Sequence, residues 1–168
     1  AVRMQKCLRE SDTLARFGLK SIKEMDWESL PTGVQLPGKE ELLRKGIDPV
    51  PFYQQQLKAS LDMAGELVVL QSVDGSAAVF DELVFEHTDW ENRGRYVPMV
   101  RETYEQSDEV WINVVEKENG GLALRKYHIK FYKSEEHPLG IAVVLDFERG
   151  VWRTLTVMPR ERLNRIDS

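Results

Sequence analysis

Four strand-like segments follow one another in the last third of the sequence and constrain the fold most strongly. They are EVWINVVEK, LALRKYHIKFY, IAVVLDFE and VWRTLTVM, and the turn sequences ENGG, SEEHPLG and RG separate them. Each segment alternates apolar and polar residues or is rich in β-branched and aromatic residues, and ENGG is a strong hairpin signal. The sequence therefore predicts four successive strands, each antiparallel to the one before it.

The residues before these strands predict helices and one small hairpin. KEELLRKG is a short helix ended by Gly46, and Phe52, Leu57, Leu61 and Ala64 recur at helical spacing in a longer segment closed by Gly65. LVVLQSV and AAVF flank the turn sequence DGS and predict a hairpin. A further helix is expected in YVPMVRETYEQ, with its buried side marked by Val97, Val100 and Tyr104.

These elements predict an α+β fold, in which N-terminal helices pack on a four-stranded antiparallel meander. Residues 1–38 contain a break rich in proline and glycine and are expected to be an N-terminal extension or linker. Residues 39–168 are expected to form the domain, closed by a short helix in MPRERLNRI.

The composition restricts the kinds of site that the chain can hold. Cys7 is the only cysteine, and the three histidines (His87, His128 and His137) are scattered. No disulfide within the chain and no metal-ligand spacing is therefore expected, and no cofactor is predicted. The net charge is −5, so any binding of nucleic acid must depend on a local cationic site. No apolar run approaches the length of a membrane span, and the expected location is the cytoplasm, or a phage particle that delivers the protein there.

Strand alternation predicts which side chains share a face of the sheet. On LRKYHIKFY, Tyr127, Ile129 and Phe131 are expected to face the helices, which leaves Lys126, His128 and Lys130 exposed on the other side. On the last strand, the core side is assigned to Val151, Leu155 and Val157, and the exposed side to Trp152, Thr154 and Thr156. An exposed face of this composition suits phosphate binding, although a purely structural sheet has the same pattern.

Several of these segments, in their order and spacing, resemble a phage nuclease family of the barnase–EndoU–colicin–RelE-like group. The segments are FGLKSIKEM, ELVFEH, RGRYVPMVRETYEQSDEVW, LRKYHIKFY and ERGVWRTLTVM. The resemblance implies the C-terminal toxin domain of a Mu-like phage head-morphogenesis protein, with a barnase-like α+β fold and RNase activity.

The resemblance also implies functional positions. The family's histidine corresponds to His87, its paired arginines to Arg93 and Arg95, and its glycine, tryptophan and threonine on the last strand to Gly150, Trp152 and Thr156. Two positions depart from the family pattern: Ser107 replaces a proline, and His128 replaces a tyrosine before Ile129 and Lys130.

RNases of this kind cleave by attack of the ribose 2′-OH on the adjacent phosphate, without a metal. That chemistry needs a base, an acid and cations on the phosphoryl oxygens. The resemblance implies proton transfer by His87 and His128, phosphate binding by Arg95 and Lys130, and a hydrogen bond from Thr156. Further substrate contacts are expected from Arg93, Lys126, Thr154 and Trp152. The ordinary alternatives are an exposed histidine that ends a helix for His87, a surface ion pair for the arginines, and a solvated strand face for Lys126, His128 and Lys130. Thr156 would be an ordinary strand former, and Trp152 a core residue.

The expected partner is RNA, tRNA among the candidates, together with an immunity protein; no membrane partner is expected. A second hypothesis, from a different class, is a non-catalytic interaction or capsid-associated module that retains the same fold. The negative net charge and the histidine at position 128 favour this alternative.

Overall fold

The computed structural model describes residues 26–133 and 139–160. It contains five α-helices in this part of the chain, which we label in order: α1 (Lys39–Arg44), α2 (Pro49–Ser60), α3 (Glu82–His87), α4 (Trp90–Arg93) and α5 (Val100–Glu105). Two 3₁₀ helices, Trp27–Ser29 and Gly94–Met99, complete the helical elements. The six strands are β1 (Val68–Gln71), β2 (Ala77–Phe80), β3 (Glu109–Glu116), β4 (Leu122–Tyr132), β5 (Leu139–Glu148) and β6 (Val151–Arg160).

All six strands form one sheet, in the order β1-β2-β6-β5-β4-β3. The last four strands pair antiparallel with their neighbours in the sequence. The expected hairpin β1–β2 is also present, but it joins the same sheet because β2 runs parallel to β6. The α+β class is therefore confirmed, whereas the expected four-stranded sheet is corrected to six strands.

The helix predictions differ from the structure mainly in their ends. The predicted α1 is confirmed, but α2 ends at Ser60, before the predicted closure at Gly65. Asp48 caps α2 by accepting a hydrogen bond from the Val50 amide. Just beyond its other end, Asp62 has φ of 52°, a left-handed conformation that cannot continue a helix.

The predicted helix in YVPMVRETYEQ is divided into two elements. Its first part is the 3₁₀ helix, which contains Pro98, and its second part is α5. Val97, Val100 and Tyr104 are buried as expected. At the start of the 3₁₀ helix, Gly94 lies against the Tyr53 ring so closely that a Cβ there would overlap it. The absence of a side chain at Gly94 therefore allows this helix to pack on α2.

Apolar residues pack on both faces of the sheet, and the helices cover only one of them. On the helix side, Tyr132, Ile141, Val143, Leu145 and Val157 pack with the buried residues of the helices. On the opposite side, which we call the outer face, Leu30 packs on Trp111, Ile129, Phe131 and Ala142, with Tyr127 and Met158 beside them. The chain before α1 thus supplies part of the outer cover, and Thr32 bridges Lys133 at the end of β4.

The predicted faces of β4 are wrong. Tyr127, Ile129 and Phe131 lie on the outer face, whereas Lys126, His128 and Lys130 lie on the helix side and are buried. Alternation establishes that the two sets lie on opposite faces, but it does not determine which face the helices cover.

The predicted faces of β6 are also corrected, because the strand contains a bulge. Val144 pairs with Thr156 and the next residue, Leu145, pairs with Thr154, so Leu155 is an extra residue. Thr154 therefore lies on the helix side with Leu145, and Thr156 lies on the outer face with Val144. The two threonines do not share a face, and both are buried.

Some predictions fall outside the described residues. These are the FGLKSIKEM segment, His137 and the part of the closing helix after Arg160, while Met158–Arg160 belong to β6. Among the helices of residues 26–133 and 139–160, none has both the length and the apolar composition needed to cross a membrane.

Candidate functional site

A row of polar side chains runs along the helix side of β4 and connects the sheet to α5 and to the β1–β2 turn. Lys126, His128, Lys130 and Tyr132 form this row, which we call the inner row, and all four are buried. At one end of the row, Tyr132 bonds the Thr103 hydroxyl at 3.1 Å and donates to the Met99 carbonyl at 3.3 Å. Each member has a polar partner, as buried polar groups require.

Lys126 is held in the inner row by a buried ion pair. Its Nζ is 3.0 Å from Asp74 Oδ2 and 2.9 Å from the Ser76 hydroxyl, and the side chains of Lys126 and Asp74 are only 3% and 10% exposed. Nζ also lies 4.4 Å from the centre of the Trp152 ring. Burial alone would raise the pKa of Asp74, but hydrogen bonds from Ser76 and Lys126 outweigh it and hold the pKa well below its usual range.

His128 lies fully buried at the centre of the inner row. Its Nδ1 is 2.9 Å from the Ser107 hydroxyl and 3.3 Å from the Ser72 hydroxyl, and its ring lies 4.5 Å from that of Tyr104. The Ser107 hydroxyl donates to the Thr103 carbonyl at 2.7 Å. We therefore infer that Nδ1 carries the proton and donates to Ser107. Burial, reinforced by the charge of Lys126, lowers the pKa of His128 to about 3.

The two positions that depart from the family pattern are in contact with each other. Ser107 stands where the resemblance implies a proline, and His128 stands where it implies a tyrosine. Because proline has no hydroxyl, only a residue such as serine can bond a histidine at this distance of 2.9 Å. The serine and the histidine thus form an internal contact that a proline at position 107 could not form.

The buried histidine predicts a loss of stability in mild acid. In the folded protein the pKa of His128 is about 3, whereas in the unfolded chain it is about 6.5. Between these pH values the unfolded chain binds one more proton at this histidine than the folded protein does. The free energy of unfolding therefore rises with pH in this range, and it decreases as the pH falls below about 6.5. Urea unfolding at a series of pH values should show this slope, and it should be shallower in His128→Gln. Equal slopes in the two proteins would contradict the assignment.

Lys130 makes its contacts at the end of α5. Its Nζ donates to the Gln106 carbonyl at 3.0 Å and lies 3.9 Å from Asp108 Oδ1. Asp108 also accepts a hydrogen bond from the Phe131 amide at 2.8 Å. Burial raises the pKa of Asp108, although the Phe131 amide and Lys130 oppose that shift. Lys130 is therefore engaged by internal groups on the helix side, across the sheet from Thr156 on the outer face.

A second set of charged side chains lies on the outer face, and strand alternation does not single it out. Arg125 donates two hydrogen bonds to Asp146, of 2.7 and 3.1 Å, and it is also hydrogen-bonded to Tyr127. Arg125 pairs across the strands with Asn113 and Asp146. The opposite charges of Arg125 and Asp146 are visible in the sequence, but their contact depends on the β4–β5 register.

The remaining candidates lie in the helical region between β2 and α5. His87 is the last residue of α3 and is exposed, and Arg93 and Arg95 are half-buried. Within residues 26–133 and 139–160, none of these three side chains forms an ion pair or hydrogen bond. Arg95 Nε is shielded from solvent without a partner there, and its guanidinium lies 6.0 Å from the Tyr96 ring centre. The surface ion pairs that were the ordinary alternative for Arg93 and Arg95 are therefore not formed with any carboxylate of the described residues.

The structure thus separates the predicted site residues into three groups. His87, Arg93 and Arg95 lie in the helical region. The inner row contains Lys126, His128 and Lys130, with Thr154 and the half-buried Trp152 on the same face, and Thr156 lies on the outer face. The described part of the chain contains no cluster of three or more histidine, cysteine or acidic residues arranged to hold a metal ion.

Comparison with known families decides the identification. A model of the family described as phage-Barnase-EndoU-ColicinE5/D-RelE like nuclease2 matches residues 53–168, which is more than half of the chain. The chain belongs to this family. Comparisons with curated proteins and with solved structures each gave no match. The match includes α3, α4 and all six strands, so each of the three groups of candidate residues lies inside the nuclease-like region.

Proposed function

We propose that this member of the nuclease family is a metal-independent endoribonuclease of the phage-toxin type, which cleaves RNA by attack of a ribose 2′-OH on the adjacent phosphate. Membership of the family, which covers residues 53–168, carries the proposal. The substrate is RNA because the nucleophile is the 2′-OH, a group that DNA lacks.

The helical region supplies the groups that suit this chemistry best. His87 is exposed at the end of α3, where its imidazole, the group most often used in general acid–base catalysis, is accessible to a substrate. The guanidinium groups of Arg95 and Arg93 form no ion pair with a carboxylate of the described residues. A planar guanidinium binds phosphate oxygens well. We assign proton transfer to His87 and phosphate binding to Arg95, with Arg93 as a further phosphate contact.

The buried candidates have a different place in this proposal. His128 and Lys126 are fully or almost fully buried, and internal groups already occupy Lys126 Nζ and His128 Nδ1. We propose that they hold α5 and the β1–β2 turn on the sheet, and that they act on the substrate only through this support. Lys130 and Thr156 lie on opposite faces, so one phosphate does not contact both.

Incubation of the protein with RNA in EDTA tests the proposal. Total RNA and tRNA are the substrates, and DNA of the same sequence as one RNA oligonucleotide is the control. The wild type is expected to cleave RNA alone, and Arg95→Ala should cleave it much more slowly, whereas Arg44→Ala, which removes an exposed cation from α1, should not. Failure of the wild type to cleave would refute the activity, and equal rates in all three proteins would refute the assignment of Arg95.

A specific observation favours the alternative of a non-catalytic interaction module. Three of the predicted site residues, Lys126, His128 and Lys130, bond internal groups, as they would in a protein that retains the fold without the reaction. In that case the protein would bind its partner without cleaving RNA, and the same experiment distinguishes the two functions.

A further inference from the structure

An apolar patch lies on the helix side of the sheet at the end where the β3–β4 and β5–β6 turns are located. Phe147 and Leu124 are each 41% exposed, and Leu122 is 62% exposed. In the β4–β5 register, Leu124 and Phe147 are the next residues beyond the Arg125–Asp146 pair, and Val114 pairs with Leu124 from β3. A contiguous exposed patch of this kind commonly marks a binding surface.

Two aromatic rings form the centre of the patch. Phe147 pairs with Trp152 across β5 and β6, and their ring centres are 5.1 Å apart at an angle of 58°. The Trp152 ring also packs against the hydrophobic core and lies next to the Lys126 ammonium, which the buried Asp74 holds in place. Lys126 thus helps to hold the Trp152 ring in place, and Trp152 in turn positions Phe147. The exposed surface of the Phe147 ring remains available to a planar ligand.

A cation with no acidic partner among the described residues lies in the turn between the strands that carry these rings. Arg149 and Gly150 form the two-residue β5–β6 turn with φ values of 49° and 81°, the positive angles typical of a type I′ turn. Arg149 is exposed, and it forms no ion pair with any described residue. An aromatic surface with a neighbouring free cation is the combination by which proteins bind a base and a phosphate of single-stranded nucleic acid.

The patch is also connected to the proposed site through α3. Arg153, the neighbour of Trp152, bonds Asp81 at 3.1 Å and Glu82 at 3.5 Å, so β6 holds the start of α3. His87 is the last residue of this six-residue helix, whose length at 1.5 Å per residue is about 9 Å. β6, the strand that carries Trp152, is thus joined to the helix that carries His87.

We propose that Phe147, supported by Trp152, is a base-stacking subsite for single-stranded RNA, and that Arg149 binds a phosphate next to the stacked base. This inference rests on the proposed function, because it takes RNA to be the ligand. The exposed Phe147 ring makes the contact with the base, and Trp152 and Lys126 support it.

Binding of a short, fluorescein-labelled 2′-O-methyl oligoribonucleotide tests the subsite without cleavage, because this probe has no free 2′-OH. Phe147→Ala is expected to weaken binding roughly tenfold to a hundredfold, the effect of losing one stacked base. Phe147→Trp should retain wild-type affinity. Val151→Ala is the matched control, since Val151 is an exposed apolar residue of β6 without a ring. Arg149→Ala should reduce the dependence of log affinity on log salt by about one phosphate contact.

The outcomes separate the subsite from the activity. Equal affinity of wild type and Phe147→Ala, or an equal loss in Val151→Ala, overturns the subsite even if the wild type cleaves ordinary RNA. No binding by the wild type overturns it as well, and binding of a protein at this patch would then be the better explanation. Binding that depends on Phe147 in a protein that cleaves no RNA supports the subsite and overturns the proposed endoribonuclease.

Discussion

Replacement of Lys126 by methionine is expected to lower the free energy of unfolding by about 3–5 kcal/mol, because breaking a buried ion pair leaves one charge uncompensated. Methionine keeps most of the apolar stem that lies against Trp152, so the principal loss is the ammonium group. The Asp74 carboxylate would retain its hydrogen bonds from Ser76 but lose its cation. A loss of this size is a large part of the stability of an ordinary domain. Urea unfolding followed by circular dichroism measures it.

A second ion pair in the same chain provides the matched control. Lys45 Nζ lies 2.7 Å from Glu41 Oε1, a shorter distance than that of the buried pair, but both side chains are exposed. Lys45→Met is therefore expected to change the free energy of unfolding far less than Lys126→Met does. If the two variants lose similar amounts, the inner row does not hold the fold together in the manner described.

Replacement of His87 by alanine is expected to reduce the rate of RNA cleavage by about 10²- to 10⁴-fold, the usual contribution of one positioned acid or base. The side chain is exposed and, among described residues, forms no hydrogen bond or ion pair, so its removal should change the stability little. A loss of cleavage with unchanged urea unfolding would thus locate the defect in the reaction. Glu86→Ala, which alters the neighbouring residue on α3, should cleave like the wild type. Equal rates for His87→Ala and Glu86→Ala would remove His87 from the proposed site.

The sequence predicts where the strands and helices lie along the chain better than it predicts which of their side chains are buried. The strands are predictable because alternation and turn residues are local signals, and ENGG and DGS lie at two of the predicted turns. The side of the sheet on which His128 lies could not be predicted, because alternation gives relative faces and the helices determine which face is buried. The bulge at Leu155 places Thr154 and Thr156 on opposite faces, and no residue type in that segment marks it.

The candidate site shows the same limit. His87, Arg93 and Arg95 are close in the sequence, so a resemblance between sequences is enough to group them. The contacts of Lys126 with Asp74, and of Arg125 with Asp146, join residues that are far apart in the chain and require the register. The buried role of Lys126 and the proposed stacking role of Phe147 therefore depend on the three-dimensional arrangement.

The most direct measurement uses a DNA oligonucleotide that contains a single ribonucleotide, incubated with the wild-type protein in EDTA. Attack by the 2′-OH on its own adjacent phosphate predicts one cut, immediately 3′ to the ribonucleotide, and a 2′,3′-cyclic phosphate at the new end. Mass spectrometry of the products identifies both. Two results would contradict the proposed metal-independent mechanism. One is an oligonucleotide that stays intact in EDTA while RNA is cut after Mg²⁺ is added. The other is cleavage at positions that have no 2′-OH.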